Sequence, residues 1–100
     1  MLPGSFLALY VYNAIANFHT IPDTKLQGAA AAQYAWVESA WHCGLLCRQS
    51  PGCQQINFDS GTNACELFQH KVEPGMTDAE KPNNYDLAPQ TGWHSYHREL

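Results

Sequence analysis

The sequence predicts a small α+β domain in which one helix packs across a small antiparallel sheet and two disulfides staple them together. Three observations lead to this fold class. All four cysteines lie within residues 43–67, the first two have the spacing of one helical turn, and the segments that follow alternate with turn-rich sequence as the strands of a hairpin do. One hundred residues make a single domain with a modest core, which cross-links commonly supplement.

The predicted helix follows Ser39, a residue type that caps helix N-termini, and ends at the Ser-Pro-Gly sequence of residues 50–52. Cys43 and Cys47 lie one turn apart and share a narrow stripe with small side chains. A helix can press such a stripe closely onto a sheet. We therefore expect both cysteines to face the sheet.

The hairpin is predicted from residues 53–58 and 64–69, which the turn-rich sequence DSGTN separates. A five-residue loop would set Asn57 opposite Cys65, on the sheet face that meets the helix. An amide between two apolar strand residues needs hydrogen-bond partners. We therefore expect a structural role for Asn57, which would tie the hairpin to a neighbouring loop, and not ligand contact.

Four cysteines permit three disulfide pairings. Cys47 with Cys53 is the local pair across the Pro-Gly turn, which leaves Cys43 with Cys65. Helix rise, strand rise and the reach of a disulfide allow both links at once. Each closed loop should contribute on the order of 3 kcal/mol to stability.

Weaker patterns describe the N-terminal part of the chain. Residues 1–16 hold an unbroken apolar run and leave two interpretations open: a signal peptide, with a small-x-small cleavage sequence at residues 14–16, or a buried N-terminal strand. The run is too short to span a bilayer as an anchor. Residues 17–21 suit a short strand that Pro22 ends.

The C-terminal part begins with residues 70–92, where three prolines and several Gly and Asn residues predict a long surface loop. Structureless loops of that length are uncommon, so we expect the part near residues 85–87 to dock on the body of the domain. Residues 93–98 alternate between two faces and are predicted to form a closing strand.

The residues around the cysteines follow a recognisable pattern: Cys43-x3-Cys47, Pro51-x-Cys53, Ile56-Asn57-Phe58 and Cys65-Glu66-Leu67. This pattern resembles the PAN/Apple domain, in the four-cysteine PAN form that lacks a third disulfide joining the domain ends. In that family the helix is tied to the sheet by the two pairings favoured above. The resemblance implies that residues 17–100 form one such domain, and that residues 25–31 return beside residues 17–21 as a strand pair.

The function that the resemblance implies is extracellular and non-catalytic recognition of a protein or a glycan by a secreted chain or a larger secreted parent. A formal charge of -4, with five scattered Lys and Arg residues, argues against nucleic-acid binding. A structural alternative stays open: a spacer or assembly domain of a larger secreted protein, with no ligand of its own.

A zinc-binding or redox protein is the less favoured alternative. Eleven residues separate Cys53 from Cys65, with no second ligand knuckle, and the Cys-x3-Cys spacing is one residue longer than that of a redox motif. His94 and His97 face opposite sides of a strand, where partly exposed side chains are expected, and cannot share a metal. The other histidines are expected at the surface: His19, His42 and His70. With no hydrolase motif either, we predict no enzyme, no cofactor and no metal.

Aromatic and basic side chains are the candidates for ligand contact, because Trp and Tyr are enriched at recognition hot spots. The aromatic candidates are Tyr34, Trp36, Trp41, Trp93 and Tyr96. The residues selected for binding are Trp41, Trp93 and Tyr96, with Arg48 and Lys71 for a polar or anionic group. Core packing is the competing interpretation for each aromatic residue, and Trp41 is expected to be exposed because it lies off the cysteine stripe. The expected binding surfaces are the sheet face away from the helix and the loop that follows residue 70.

Overall fold

One helix and seven strands are described between residues 17 and 99 of the computed structural model, so the two interpretations of residues 1–16 lie outside the described residues. In chain order the elements are β1 (Phe18–Ile21), β2 (Thr24–Gln27), β3 (Ala32–Tyr34), α1 (Ala40–Gln49), β4 (Gln55–Asp59), β5 (Ala64–Phe68), β6 (Asp86–Pro89) and β7 (Trp93–Arg98). Within this part of the chain, no helix has the length and apolar character needed to cross a bilayer.

The strands form a five-stranded antiparallel sheet in the order β1-β7-β4-β5-β3 and a separate antiparallel pair of β2 with β6. Helix α1 packs on β4 and β5, while β2 packs on β7 and β4. The predicted α+β fold class is therefore confirmed, with a second layer of two strands added to it.

The helix begins and ends where its sequence predicts. The Ser39 hydroxyl accepts a hydrogen bond from the backbone N–H of His42, and the Ser50 N–H donates to the Cys47 carbonyl at the other end. The cysteine stripe is buried against the sheet, as expected.

Disulfides join Cys43 to Cys65, with Cα atoms 5.7 Å apart, and Cys47 to Cys53, with Cα atoms 5.3 Å apart. These are the two pairings implied above, and all four sulfurs lie in the helix-side core. The buried apolar neighbours in that core are Phe18, Val37, Ile56, Phe58 and Leu67. The links therefore clasp α1 to β5 and to the segment that leads into β4.

The predicted hairpin register is wrong by one residue. Asp59, which was predicted to lie in the loop, pairs with Ala64, so the loop has the four residues 60–63 and Cys65 lies opposite Phe58. The physical reason is a side-chain cap: the Asp59 carboxylate accepts the Gly61 N–H at 3.1 Å and the Thr62 hydroxyl at 2.8 Å. These bonds tighten the turn and extend both strands.

The shifted register places Asn57 on the face away from the helix, which corrects the expectation that it faces α1. Its Oδ1 accepts the Leu26 N–H at 2.9 Å, and its Nδ2 donates to the Leu26 carbonyl at 2.8 Å and to Glu66 Oε1 at 3.0 Å. A neighbouring amide acts similarly, since Gln55 Oε1 accepts the Val72 N–H at 2.8 Å. Asn57 thus ties β4 to a strand of the second layer and not to a loop.

Residues 25–31 were expected to pair with residues 17–21, and this expectation is wrong. Strand β2 pairs with β6 and not with β1. Asp23 lies between them, and its backbone N–H donates to His94 Nδ1 at 3.1 Å while its carboxylate accepts the Gly92 N–H at 3.2 Å. These contacts direct the chain across the sheet, where Leu26 is buried. Strand β2 ends before Gly28, where a Cβ would lie 2.2 Å from the Tyr85 ring and φ is +142°.

The segment after residue 70 is only partly a loop, because β6 pairs with β2. Tyr85 donates its hydroxyl to the Ala29 carbonyl at 2.8 Å and meets the edge of the Phe68 ring, with centroids 6.4 Å apart. The expected docking near residues 85–87 is confirmed. The closing strand is confirmed as well, and β7 lies between β1 and β4.

The two disulfides should contribute unequally to stability. The closed loops span 22 and 6 residues, and the entropy of an unfolded loop grows with its length, so removing Cys43–Cys65 should cost about 3 kcal/mol and removing Cys47–Cys53 about 2 kcal/mol. Urea unfolding of the two double-alanine variants, Cys43→Ala with Cys65→Ala and Cys47→Ala with Cys53→Ala, measures both. A larger loss for the short loop would contradict the loop-length argument.

Truncation of Asn57 should be strongly destabilising. Asn57→Ala leaves the buried N–H and carbonyl of Leu26 without partners, so the free energy of unfolding should fall by about 2–4 kcal/mol. The control is Gln54→Ala, which removes only an exposed 3.4 Å contact to Gln69 and should cost less than about 0.5 kcal/mol. Similar losses in the two variants would refute the bridging role.

Candidate functional site

Three large apolar side chains of the described chain are exposed, and they lie in one region around the start of α1. Trp36 is 85% exposed, Trp41 44% and Tyr34 42%. Trp36 is therefore the most prominent of them, although it was only an aromatic candidate and not one of the residues predicted to bind a ligand. The selected Trp41 is exposed, as expected.

The backbone holds Trp36 in a strained conformation. Its φ is +62°, in the left-handed region where a bulky residue costs about 1–3 kcal/mol unless its surroundings compensate. The next residue supplies that compensation: Val37 is buried in the helix-side core, and its N–H donates to the Asn63 carbonyl at 2.9 Å. With Val37 fixed inside, the indole of Trp36 is directed outward.

Trp36 separates two open clefts. The helix-side cleft has a volume of about 390 Å³ and is lined by Trp36, Val37, Glu38, His42, Leu45, Leu46 and Gln49. The strand-side cleft has a volume of about 530 Å³ and is lined by Gln33, Tyr34, Ala35, Trp36, Thr62, Ala64, Cys65 and Glu66. A ligand in either cleft would contact the exposed indole.

The outer face of α1 forms one wall of the helix-side cleft. Its lining positions 42, 45, 46 and 49 are spaced three or four residues apart, so they share a face of the helix, and the buried cysteines lie on another. The Trp41 ring stacks on the His42 ring, with centroids 5.5 Å apart, and extends this surface. The sequence contains this spacing, but the prediction for α1 rested on the cysteine stripe of its other face.

The polar groups of the helix-side cleft are held in place by the helix cap. His42 Nδ1 lies 2.8 Å from the Ser39 hydroxyl, and His42 Nε2 lies 3.8 Å from the Glu38 carboxylate. The Glu38 side chain itself is 82% exposed. The edge of the cleft therefore carries an imidazole that Ser39 holds and, 3.8 Å from it, the exposed carboxylate of Glu38.

Of the other residues selected for binding, Trp93 and Tyr96 lie on opposite faces of β7. Trp93 is half-buried beneath Lys25, whose Nζ is 4.2 Å from the ring centroid. Tyr96 packs against the helix-side core, where burial raises the pKa of its phenol. The structure therefore does not bring these two side chains together at one surface.

The two basic candidates are also apart. Arg48 lies in the last turn of α1, seven residues after Trp41 and on the same side of the helix. Lys71 is half-buried in the segment after β5, close enough to His97 to influence its pKa. The sheet face away from the helix, an expected binding surface, is covered by β2 and the buried side chains of Leu26 and Val72.

A cluster of titratable groups lies at the edge of that covered face. His97 is 6% exposed, which corrects the expectation of a partly exposed side chain, because β7 is an inner strand. Its ring stacks on His19 of β1 with centroids 5.0 Å apart, and its Nδ1 lies 3.4 Å from Glu73 Oε1 without a hydrogen bond. Glu99 pairs with His19. Within residues 17–99, no three His, Cys, Asp or Glu side chains are placed to hold a metal ion.

Comparison with protein-family models matches residues 15–92 to the PAN domain. The matched segment contains α1, both disulfides and the two clefts around Trp36. No curated protein matches the chain.

Acid should destabilise the domain through His97. Burial is the main cause that lowers the pKa of His97 below 6.5, helped by Lys71 and His19 and opposed by Glu73 and Glu99. The unfolded chain therefore binds the proton more readily than the folded one. The contribution of neutral His97 to the free energy of unfolding is complete above about pH 6.5. It is lost as the pH falls from there through the lowered folded-state pKa, and the free energy of unfolding then changes by at most about 1.4 kcal/mol per pH unit.

Urea unfolding between about pH 7.5 and pH 5 measures this effect. The stability of wild type relative to His97→Gln should decrease on acidification, because only the wild type takes up this proton on unfolding. The control is Gln27→Ala, an exposed position without a titratable group, which should follow the wild-type profile. A constant difference between wild type and His97→Gln would exclude His97 as the source.

Proposed function

This chain belongs to the PAN domain family, and on that premise we propose that it is an extracellular, non-catalytic recognition module that binds a protein or a glycan through the surface around Trp36. The family consists of protein- and carbohydrate-binding modules that are generally non-catalytic. The proposal assigns that general role to a particular part of this molecule.

The observation that carries the proposal is the exposed, strained Trp36 between two clefts. Removing an indole from water is favourable, so a domain that had no ligand would gain stability by burying it. The left-handed backbone adds a further cost at the same residue. Tryptophan is also the residue type most enriched at binding hot spots. A bound partner that covers Trp36 would remove the indole from water, while the burial of Val37 and its bond to Asn63 offset the cost of the left-handed backbone.

The scaffold beneath this surface is suited to recognition because it is cross-linked. Cys43 and Cys47 lie on the opposite side of α1 and fix the helix to the sheet, and the Ser39 cap fixes its first turn. A surface that is rigid before binding loses little conformational entropy when the ligand arrives. The clefts are thus already formed in the free domain.

The disulfides also support the extracellular assignment. All four cysteines are paired, which is the state that oxidising compartments maintain. The same pairing occupies the thiols that a zinc site would use as ligands, so titration of free thiols in the native protein distinguishes the zinc alternative. A spacer or assembly role remains the competing function, and it differs in requiring no ligand at Trp36.

A binding screen of the oxidised domain against immobilised glycans and extracellular proteins tests the proposal, with a reduced sample to verify that the fold is needed. For any ligand found, Trp36→Ala should weaken binding at least about 30-fold, the effect of a hot-spot truncation of about 2 kcal/mol. Because Trp36 is exposed, the free energy of unfolding should change by less than about 0.5 kcal/mol.

The control is Gln27→Ala, an exposed position on β2 in the second layer, which should leave binding unchanged. Equal binding by wild type and Trp36→Ala would place the recognition surface elsewhere on the domain. A screen with no ligand at all would favour the spacer role.

A further inference from the structure

We infer that the occupant of the helix-side cleft is a protein segment in which an Arg or Lys side chain adjoins an aliphatic one. The cationic head would lie over the Trp36 indole beside Glu38, and the aliphatic side chain would pack on Leu45 and Leu46. This inference rests on the proposed function and names the class of partner for the same surface.

Two leucines in the wall of the cleft favour an aliphatic side chain in the partner. Leu45 and Leu46 are only partly buried and line the cleft with Trp36, and Leu46 also packs against the helix-side core. Both leucines therefore present apolar surface to the cleft. An aliphatic side chain placed against them would be partly removed from water, which is favourable.

The charges around Trp36 favour a cationic side chain in the partner. Glu38 lines the helix-side cleft and Glu66 the strand-side cleft, and among residues 17–99 no Lys or Arg lines either of them. The chain as a whole has a formal charge of -4. An anionic ligand, such as a sulfated or sialylated glycan, would meet the exposed Glu38 carboxylate beside the indole, whereas a cation would be attracted by it. Glu66 adds little to this attraction, because Lys25 already lies 3.9 Å from its carboxylate.

The domain itself shows that this combination of groups accommodates a cation. Lys25 Nζ lies 4.2 Å from the centroid of the Trp93 ring and 3.9 Å from the Glu66 carboxylate, so an ammonium is held between an indole face and an acid. Trp36 and Glu38 line one cleft and supply the same two groups on an open surface. The electron-rich face of an exposed indole is the preferred aromatic partner of Arg and Lys.

The test uses random twelve-residue peptides displayed on phage, selected on the oxidised full chain and depleted on its Trp36→Ala variant. The enriched peptides should carry Arg or Lys next to Leu, Ile or Met. As synthetic peptides, they should bind Glu38→Gln about 3- to 10-fold more weakly than wild type, and raising the salt concentration should narrow that difference.

Charge reversal separates a direct contact from a structural effect. Selection on Glu38→Lys should lose the basic peptides and favour acidic ones. If Glu38 only supported the fold, this exchange of basic for acidic peptides would not occur. The matched control is Asp78→Asn, because Asp78 is an exposed carboxylate in the segment after β5 and its partner Lys81 keeps a second acid, Asp86. It should bind the selected peptides as wild type does.

Each other outcome overturns the inference. Peptides without basic residues, unchanged binding by Glu38→Gln and Glu38→Lys, or no enrichment would each refute it. Binding of glycans that depends on Trp36, measured on the same samples, would refute it while leaving the proposed function standing. If neither peptides, extracellular proteins nor glycans bind in a manner that depends on Trp36, both proposals fail together.

Discussion

Strand β4 is buried on both faces, and the two faces are covered by different chemistry. Ile56 and Phe58 pack toward α1 within the core that contains the disulfides. Gln55 and Asn57 point the other way, where a buried amide is tolerated only if its hydrogen bonds are made. The backbone groups of Leu26 and Val72 make those bonds, so one strand specifies the position of both layers.

This arrangement determines which surfaces are left for function. A sheet covered by a helix on one side and by β2 on the other has no open central face to offer a ligand. The outer face of α1 and the connection from β3 to α1 remain accessible, and the exposed tryptophans lie there. The recognition role proposed for this domain therefore uses the surface of the helix more than the sheet, even though the sheet supplies most of the structure.

The strain at Trp36 is a consequence of the same core. Val37 must enter the helix-side core and bond to Asn63, and Ser39 must cap α1, within a connection of five residues between β3 and the helix. A left-handed residue at position 36 satisfies these anchors and turns its side chain to solvent. The energy that fixes this conformation comes from packing and hydrogen bonds around Trp36, so the indole is presented in one orientation to whatever binds it.

Local signals in the sequence determined three features: the helix between its caps Ser39 and Ser50, the stripe of cysteines on its buried face, and the alternating strand at residues 93–98. These signals suffice because caps, turn residues and side-chain periodicity act over a few neighbouring residues. Tertiary structure alone decided the hairpin register, the pairing of β2 and the exposure of the functional candidates. The hairpin register depended on the Asp59 carboxylate closing its own turn, and the pairing of β2 with β6 depended on contacts between Asp23 and residues about seventy positions away. The exposure of Trp36 and the burial of His97 depend on which strands and loops cover each face of the sheet and helix. Residues distant in the chain determine this coverage, and they do so only when they pack together.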